Sequence, residues 1–545
     1  MKHRLLALML LITLSMSAQD VNIIPKPSRL EKMDGNFSIT PSTQIVLTGT
    51  GLEKSAQFLN DYLQKFYGFQ LKVVKTSDFK NYISLRYERI NHPIPGAYNM
   101  QIKRNGVIIN GDNATGTFYA VQTLIQLLPL EKKNSLFLQC LEIEDKPRFA
   151  YRGMHLDVGR HFLPLDFVKK YIDFIAMYKM NNFHWHLTED QGWRIEIKKY
   201  PKLTQIGGFR NGTIIGHHPG TGNDNIAIGG FYTQQEIKEI VKYAADRFIT
   251  IIPEIELPGH ASAAIAAYPQ LSCFPDENTI VAPKVTWSGN KIGKQVQQSW
   301  GVYPDVFAPT EFTFKFLENV LDEVMELFPG KYIHIGGDEC PKENWKRSAF
   351  AQQLIKEKDL KDEHGLQSYF IQRIEKYINS KGRQIIGWDE ILEGGLAANA
   401  TVMSWRGEEG GIEAAKQKHN VIMTPGGWVY FDHSQTKNED SITIGGYLTI
   451  QKVYGYEPIP KELSLEDSKY VLGAQANLWS EYVKNSAKAE YMIFPRMSAL
   501  SEVLWSPKEL KNWPDFEKRM RHEFKRYEWW GVNYSKAFFD PINQQ

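Results

Sequence analysis

The chain has 545 residues, 42% of them hydrophobic and 23% charged, a soluble globular composition large enough for two or three domains. Lys+Arg 64 against Asp+Glu 62 leaves a formal net charge of +2, which excludes the broad basic field that nucleic-acid binding requires. Three cysteines, Cys140, Cys273 and Cys340, are too few for a disulfide scaffold, and an odd number leaves at least one thiol free.

Residues 1–18 open with Lys2, His3 and Arg4, continue through an apolar run from Leu5 to Leu14, and end on small residues including Ser17 and Ala18. That pattern predicts a signal peptide cleaved after Ala18, too short to span a bilayer, and hence an exported protein, periplasmic or secreted. Residues 19–147 alternate short strands at 43–48, 70–75, 81–87, 99–103 and 107–110 with helices at 52–66 and 114–128. They predict a non-catalytic α+β domain of one sheet and one helical layer. Lys146-Pro147-Arg148 marks its end.

Across 148–506 the rhythm changes to strand, then helix, repeated. Strands are predicted at 153–158, 182–187, 250–256, 331–336, 384–388, 401–405, 421–424 and 472–479, with helices between most of them. Eight such units put the chain in the α/β class, as a (β/α)8 TIM barrel preceded by the smaller α+β domain. Residues 507–545 form a C-terminal extension whose segment 513–530 is basic and amphipathic, predicting a helix on the outer wall of the barrel.

The run His334-Ile335-Gly336-Gly337-Asp338-Glu339 carries the most chemistry. A strand halts at two glycines, which allow a sharp turn and close approach, and then presents adjacent carboxyls. Two acids side by side cannot both ionise cheaply, so one is expected to stay protonated toward neutral pH, as a general acid must. Cys340 reads as a small buried residue behind the pair rather than a nucleophile.

Barrels of this kind hold their chemistry at the C-terminal strand ends. There the sequence places Asp157 and Arg160, then His184 to Asp190, then Glu254, Glu256 and His260, then the acid pair. Trp388 follows, ahead of Asp389 and Glu390, then Trp405, then Tyr430 and Asp432, and last Trp479 and Glu481. Acids, an arginine, a tyrosine and three tryptophans around one mouth describe a sugar site: charged groups chelate hydroxyls and indoles stack on the ring.

Five motifs carry a resemblance: Asp157-x-x-Arg160-His161, His184-Trp185-His186-Leu187-Thr188, Pro253-Glu254-Ile255-Glu256-x-Pro258-Gly259-His260, the run ending in Asp338-Glu339, and Leu478-Trp479-Ser480-Glu481. With them the chain resembles the exported bacterial β-N-acetylhexosaminidases of glycoside hydrolase family 20, over nearly its whole mature length. The resemblance implies substrate-assisted hydrolysis of terminal β-linked N-acetylglucosamine or N-acetylgalactosamine, with retention. By the same resemblance Glu339 is the general acid and base and Asp338 orients the substrate's acetamido group. Tyr430 donates to the acetamido oxygen, and Trp388, Trp405 and Trp479 box its methyl. Arg160, Asp432 and Glu481 bind ring hydroxyls, and Glu189 with His260 tunes the general acid. The family often carries Asp-Asp where this chain has Glu189-Asp190, so a longer side chain does that job. A tryptophan common before the eighth strand has no clear match, with Tyr447 and Tyr454 as nearby candidates.

No cofactor or metal is called for. Three alternatives stand behind this reading: disaccharide release of the lacto-N-biosidase type, a metal-dependent amidohydrolase using His184-x-His186, and a non-catalytic sugar-binding barrel. The partner expected is an oligosaccharide or glycoconjugate ending in a β-linked N-acetylhexosamine. Asp389-Glu390 is read as structural or supporting, since it lacks the glycine turn.

Overall fold

The computed structural model describes residues 21–77, 80–282, 284–285, 292–439 and 441–539; the signal-peptide expectation lies outside the described residues. Seven strands form the first sheet: β1 (Arg29–Ile39), β2 (Gln44–Thr48), β3 (Lys72–Val74), β4 (Tyr82–Tyr87), β5 (Tyr98–Lys103), β6 (Gly106–Gly111) and β7 (Leu136–Asp145). Their order is β1-β7-β5-β6-β4-β2-β3. The sequence pattern anticipates β2 to β6 and misses the antiparallel pair β1 and β7. β1 is an edge strand whose charged residues 29–34 are mostly exposed, and its register shifts between Lys32 and Asn36. In β7 the alternation breaks at Cys140 and Leu141, which are both buried.

Helices α1 (Glu53–Tyr67) and α2 (Ala114–Leu127) pack on each other, with the rings of Phe58 and Phe118 5.1 Å apart. They lie between the sheet and the second domain. Phe118 meets Phe248 at 5.3 Å, Tyr119 meets Trp505 at 5.0 Å, and the Tyr119 hydroxyl accepts from the Arg152 guanidinium at 2.9 Å. At the seam Asp145 takes a 2.9 Å ion pair from Lys179, a 2.7 Å hydrogen bond from Tyr98 and a 2.9 Å bond from the Trp505 indole. Asp145 and Lys179 are both buried, so neither can fall back on water. Asp145→Ala would strand the ammonium, and is expected to cost about 3–5 kcal/mol, read as a lower midpoint of thermal unfolding.

The second domain is a closed barrel of eight parallel strands in sequence order: β8 (Tyr151–Asp157), β9 (Asn182–His186), β10 (Thr250–Leu257), β11 (Tyr332–Gly336), β12 (Gln384–Trp388), β13 (Thr401–Ser404), β14 (Val421–Met423) and β15 (Val471–Ala476). The expected (β/α)8 class is what forms. Outside it stand α3 (Leu165–Met177), α4 (Gln234–Ala245), α5 (Glu311–Leu327), α6 (Glu363–Ser380), α7 (Glu409–Lys416) and α8 (Arg496–Trp505). Between β12 and β13 the crossover is only a 3-10 turn, Asp389–Leu392. β13 and β15 stop short of Trp405 and Trp479, so both indoles sit on loops at the C-terminal mouth.

The barrel interior departs from the aliphatic layers usual in this fold. Asp157, His186, Glu254 and His334 sit side by side in register on β8 to β11, and His155 pairs with His184 one layer below. All six are fully buried. Such a layer survives because each carboxylate faces imidazoles, which supply charge and hydrogen bonds in place of water.

The last helix, α9 (Trp513–Trp530), begins on an Asn512 side-chain cap and ends at Gly531 in the left-handed region. The sequence places it on the outer wall of the barrel, where its Tyr527 ring meets Phe494 at 4.8 Å, and it also reaches the first domain. Arg519 forks onto Glu502 of α8 at 2.6 and 2.7 Å. Arg526 donates to the carbonyls of Asn22 and Gln126, and the Trp530 indole donates to the Tyr62 hydroxyl at 3.0 Å. Arg519 and Arg526 thus meet carbonyls and a carboxylate from both domains, while Lys518, Arg521 and Lys525 are exposed. Among the described residues no helix is long and apolar enough to cross a membrane.

Candidate active site

At the end of β11, Gly336 (φ +65°) and Gly337 (φ +92°) turn the chain in the left-handed region. A Cβ on Gly336 would overlap the Glu256 carboxyl, so glycine is required there for space as well as conformation. The turn delivers Asp338 and Glu339 to the mouth. Glu339 itself has φ +41° and His260 has φ +48°, conformations costly for residues with side chains and concentrated at functional sites.

The two carboxyls border a cavity of about 260 Å³ at the C-terminal mouth of the barrel. Arg160, Trp388, Trp405, Tyr430, Asp432, Trp479 and Glu481 complete its wall, with His433 and Ile444. Every residue the sequence assigns to catalysis or sugar binding at this site therefore lines one cavity, while His260 and Glu189 stand behind it. Nothing in the sequence pointed to His433, whose ring lies 5.9 Å from that of Tyr430, or to Ile444.

His260 links the acids. Its Nε2 lies 3.6 Å from Asp338 and 3.5 Å from Glu339. Its Nδ1 meets Glu189 at 2.8 Å and Asp190 at 3.0 Å. The resemblance implies that role for Glu189 alone; Asp190 shares the contact, fixed by a 2.9 Å bond from the Ser262 amide. The longer Glu189 reaches further, pairing its second oxygen with Arg160 at 3.0 Å. Burial opposes a charge on His260, yet Glu189, Asp190 and Glu339 hold its pKa well above the ordinary imidazole value.

The adjacent acids split as their proximity requires, but in the reverse sense to the expected one. Burial, then the facing Glu256, raises Asp338 well above the carboxylate range. Burial would raise Glu339 too, but the hydrogen bond and charge of His260, with Arg160, bring it below its usual value. These neighbours thus favour the proton on Asp338 and the anion on Glu339, 3.5 Å from His260.

Two of the indoles are fixed by carboxylates. Trp388 donates to Glu254 at 2.8 Å and Trp405 donates to Glu390 at 3.0 Å. Glu254 also receives His334 at 2.8 Å and His184 at 2.9 Å. Burial opposes its charge, but the His334, His186 and His184 rings hold its carboxyl well below the usual range. Burial pushes Glu390 up to about 7. Trp388 and Trp479 lie 5.6 Å apart at 48°, while Trp405 stacks with Tyr430 at 6.2 Å. Together they wall an apolar recess beside Asp338.

Opposite, Arg160 sits over the Trp479 ring at 5.0 Å. Burial and Glu481 raise Asp432 well above the carboxylate range. Asp338 Oδ1 and Asp432 Oδ1 are buried without a hydrogen-bond partner. Unsatisfied buried acceptors facing a cavity are what a ligand rich in O–H and N–H groups would satisfy.

The remaining sequence expectations sort out by position. His184 and His186 point inward together, but beneath the cavity floor, where His186 faces Glu256 at 3.0 Å and Asp157 at 3.2 Å. Neither imidazole lines the cavity, unlike ligands of an open catalytic metal. Asp389 receives Arg406 at 2.6 Å, and Glu390 holds Trp405, so that pair supports the site. Cys140, Cys273 and Cys340 are all free, and burial pushes Cys340 up to about 12, which removes it as a nucleophile. Tyr454 is not a substitute for the missing tryptophan: it packs on Trp513 and Phe516, away from the cavity. Tyr447 does not line the cavity either.

The family model described as "Glycosyl hydrolase family 20, catalytic domain" matches residues 149–508, and "Glycosyl hydrolase family 20, domain 2" matches residues 20–146. A "Beta-hexosaminidase" of Porphyromonas gingivalis is 46% identical over 524 residues, which cover 94% of this chain and 64% of that protein. The chain therefore spans just under two thirds of that relative's length. A "Beta-hexosaminidase" of Vibrio furnissii is 37% identical, over 89% of this chain and 76% of that protein. The crystal structure of a GH20 exo beta-N-acetylglucosaminidase from Vibrio harveyi in complex with N-acetylglucosamine superposes with a TM-score of 0.83 at 31% identity, covering 95% of this chain and 78% of that one. With both family models and both relatives in agreement with the motifs, the chain belongs to glycoside hydrolase family 20.

Proposed function

We propose that the protein is an exo-acting, retaining β-N-acetylhexosaminidase that removes terminal β-linked N-acetylglucosamine or N-acetylgalactosamine. The observation that carries this reading is the placement of Asp338 and Glu339 side by side at one edge of a cavity that is walled by three indoles. Two adjacent carboxyls cannot take opposite faces of a glycosidic bond as the usual acid and nucleophile do. They suit a reaction in which the substrate's acetamido oxygen is the nucleophile.

The carbonyl oxygen attacks C1, the C1–O bond to the leaving group breaks, and Glu339 gives its proton to the departing oxygen. Asp338 accepts from the acetamido N–H and its charge stabilises the oxazolinium ion; Tyr430 donates to the acetamido oxygen. Trp388, Trp405 and Trp479 hold the methyl so that the attacking atom stays near C1. Glu339, now ionised, takes a proton from water, which opens the ring from the β face. Arg160, Asp432 and Glu481 bind ring hydroxyls. A cavity of about 260 Å³, below the ~300 Å³ typical of drug-sized ligands, suits one sugar ring and favours monosaccharide over disaccharide release.

This chemistry needs the proton on Glu339, whereas the neighbours of the pair in the free enzyme favour it on Asp338. The acetamido N–H favours the Asp338 anion, and exclusion of water by the sugar favours neutral Glu339. His260, within 3.6 Å of both, is the route between them. The pair needs one carboxyl proton in both states, so kcat/KM is expected to be flat while it holds one. It should fall on the alkaline side as the raised Asp338 proton leaves, with an apparent pKa above the carboxylate range. It should fall on the acid side as Glu339, held low, takes a second proton. A kcat/KM profile against pH measures both limbs.

The direct test is hydrolysis of p-nitrophenyl β-N-acetylglucosaminide beside p-nitrophenyl β-glucoside, which lacks the nucleophile. Rapid turnover of the first and negligible turnover of the second is the expected result; equal turnover, or none, would sink the proposal. Export to the periplasm or medium is part of the same reading, supported by the basic and apolar pattern of residues 1–18.

A further inference from the structure

Glu339 borders a second, more open cavity of about 430 Å³, which shares no other lining residue with the sugar pocket. In the proposed reaction Glu339 protonates the scissile oxygen as the C1–O bond breaks, so the group beyond that oxygen lies on the Glu339 side of the sugar pocket. None of the side chains lining the second cavity is Trp, Tyr or Phe, so no indole or phenyl platform offers a face to a sugar ring. Charge is its main resource. Arg406 is already taken by Asp389 at 2.6 Å and Glu393 at 2.9 Å, and His364 faces Glu393 at 3.3 Å. Lys342 and Lys346 are different. The Lys342 ammonium donates to the Cys340 carbonyl and the Gln367 amide oxygen, neither of which carries charge. Lys346 is exposed and has no carboxylate partner among the described residues. Against these cations stand Glu343, exposed and without a cation partner among the described residues, and Glu390 and Glu393, which share the one Arg406 with Asp389. Glu390, pushed up to about 7 by burial, and Glu339, neutral when it protonates the leaving oxygen, lessen that opposition.

We infer that this cavity is a leaving-group subsite selecting an anionic sugar, one bearing a carboxylate or a sulfate ester, through Lys346 and Lys342. The inference rests on the proposed hydrolysis and names the class of aglycone that hydrolysis prefers. An exposed ion pair raises kcat/KM about two- to five-fold and is weakened by salt.

The test uses the full chain and three disaccharides of one linkage: β-N-acetylglucosaminyl glucuronate, the matching glucose 6-sulfate, and the matching neutral glucose. One or both anionic substrates should exceed the neutral one in kcat/KM by about two- to five-fold at low ionic strength. The ratio should approach one in ~0.5 M salt. Lys346→Glu, a surface change, should abolish or invert it. A preference for one anion only identifies which group the subsite takes. Equal turnover of all three by the wild type, or a preference that survives Lys346→Glu, overturns the subsite alone. Failure to cleave any of them or p-nitrophenyl β-N-acetylglucosaminide overturns the underlying activity instead.

Discussion

Glu339→Gln is expected to lower kcat on an unactivated β-linked N-acetylglucosaminyl disaccharide by about 10²–10⁴-fold, the range that a positioned general acid supplies. The amide keeps the size and much of the hydrogen bonding of the carboxyl but cannot deliver or take a proton. KM should change little, because the sugar is held by Arg160, Asp432, Glu481 and the indoles, which the substitution leaves alone. The loss in the first step should shrink as the leaving group becomes more acidic, since a nitrophenolate departs without protonation. Comparing the disaccharide with p-nitrophenyl and dinitrophenyl glycosides reads this directly. Wild-type activity in the variant, or a loss independent of the leaving group, would remove Glu339 from the role of acid.

The outline of this site is legible in the chain because a parallel barrel brings every C-terminal strand end to one mouth. Arg160, Trp388, Trp405, Tyr430, Asp432, Trp479 and Glu481 needed only that rule to be brought together, and a strand end misplaced by a few residues, as at Trp479, did no harm. The edge strand β1 was not legible, since an edge needs little apolar surface and its residues look like a loop. Nor was the reach of α9 to the first domain, because its Arg526 serves carbonyls of that distant domain. The supporting acids show a subtler limit. Glu254 and Glu390 hold indoles from other strand ends or loops, and Asp190 shares His260 with Glu189, contacts set by side-chain reach across the barrel. The same holds for the proton on the acid pair. Adjacency predicts that one carboxyl rises, but Glu256 faces Asp338 and His260 favours the Glu339 anion, and those neighbours come from other strands.

Asp338→Asn should lower kcat by about 10²–10³-fold on N-acetylated substrates, comparable to removing one preorganised electrostatic partner of a transition state. In the free enzyme burial and Glu256 raise the Asp338 carboxyl well above the carboxylate range, which favours its neutral form. Asparagine matches that neutral side chain in size and charge, so the empty site should keep its geometry and the unfolding midpoint should hold. Its carbonyl can still accept the acetamido N–H, so KM should move less than kcat. What asparagine cannot do is become an anion as positive charge develops on the oxazolinium ion. The defect therefore falls on the transition state alone. The alkaline limb of kcat/KM should move as well, because its titrating carboxyl is gone and the proton must reside on Glu339 or His260. A variant with wild-type kcat on p-nitrophenyl β-N-acetylglucosaminide would show that charge at position 338 is not used. A loss confined to KM would make Asp338 a binding group only. A large loss in kcat with stability and KM nearly intact would tie the adjacency of the two acids to a nucleophile that the sugar itself brings.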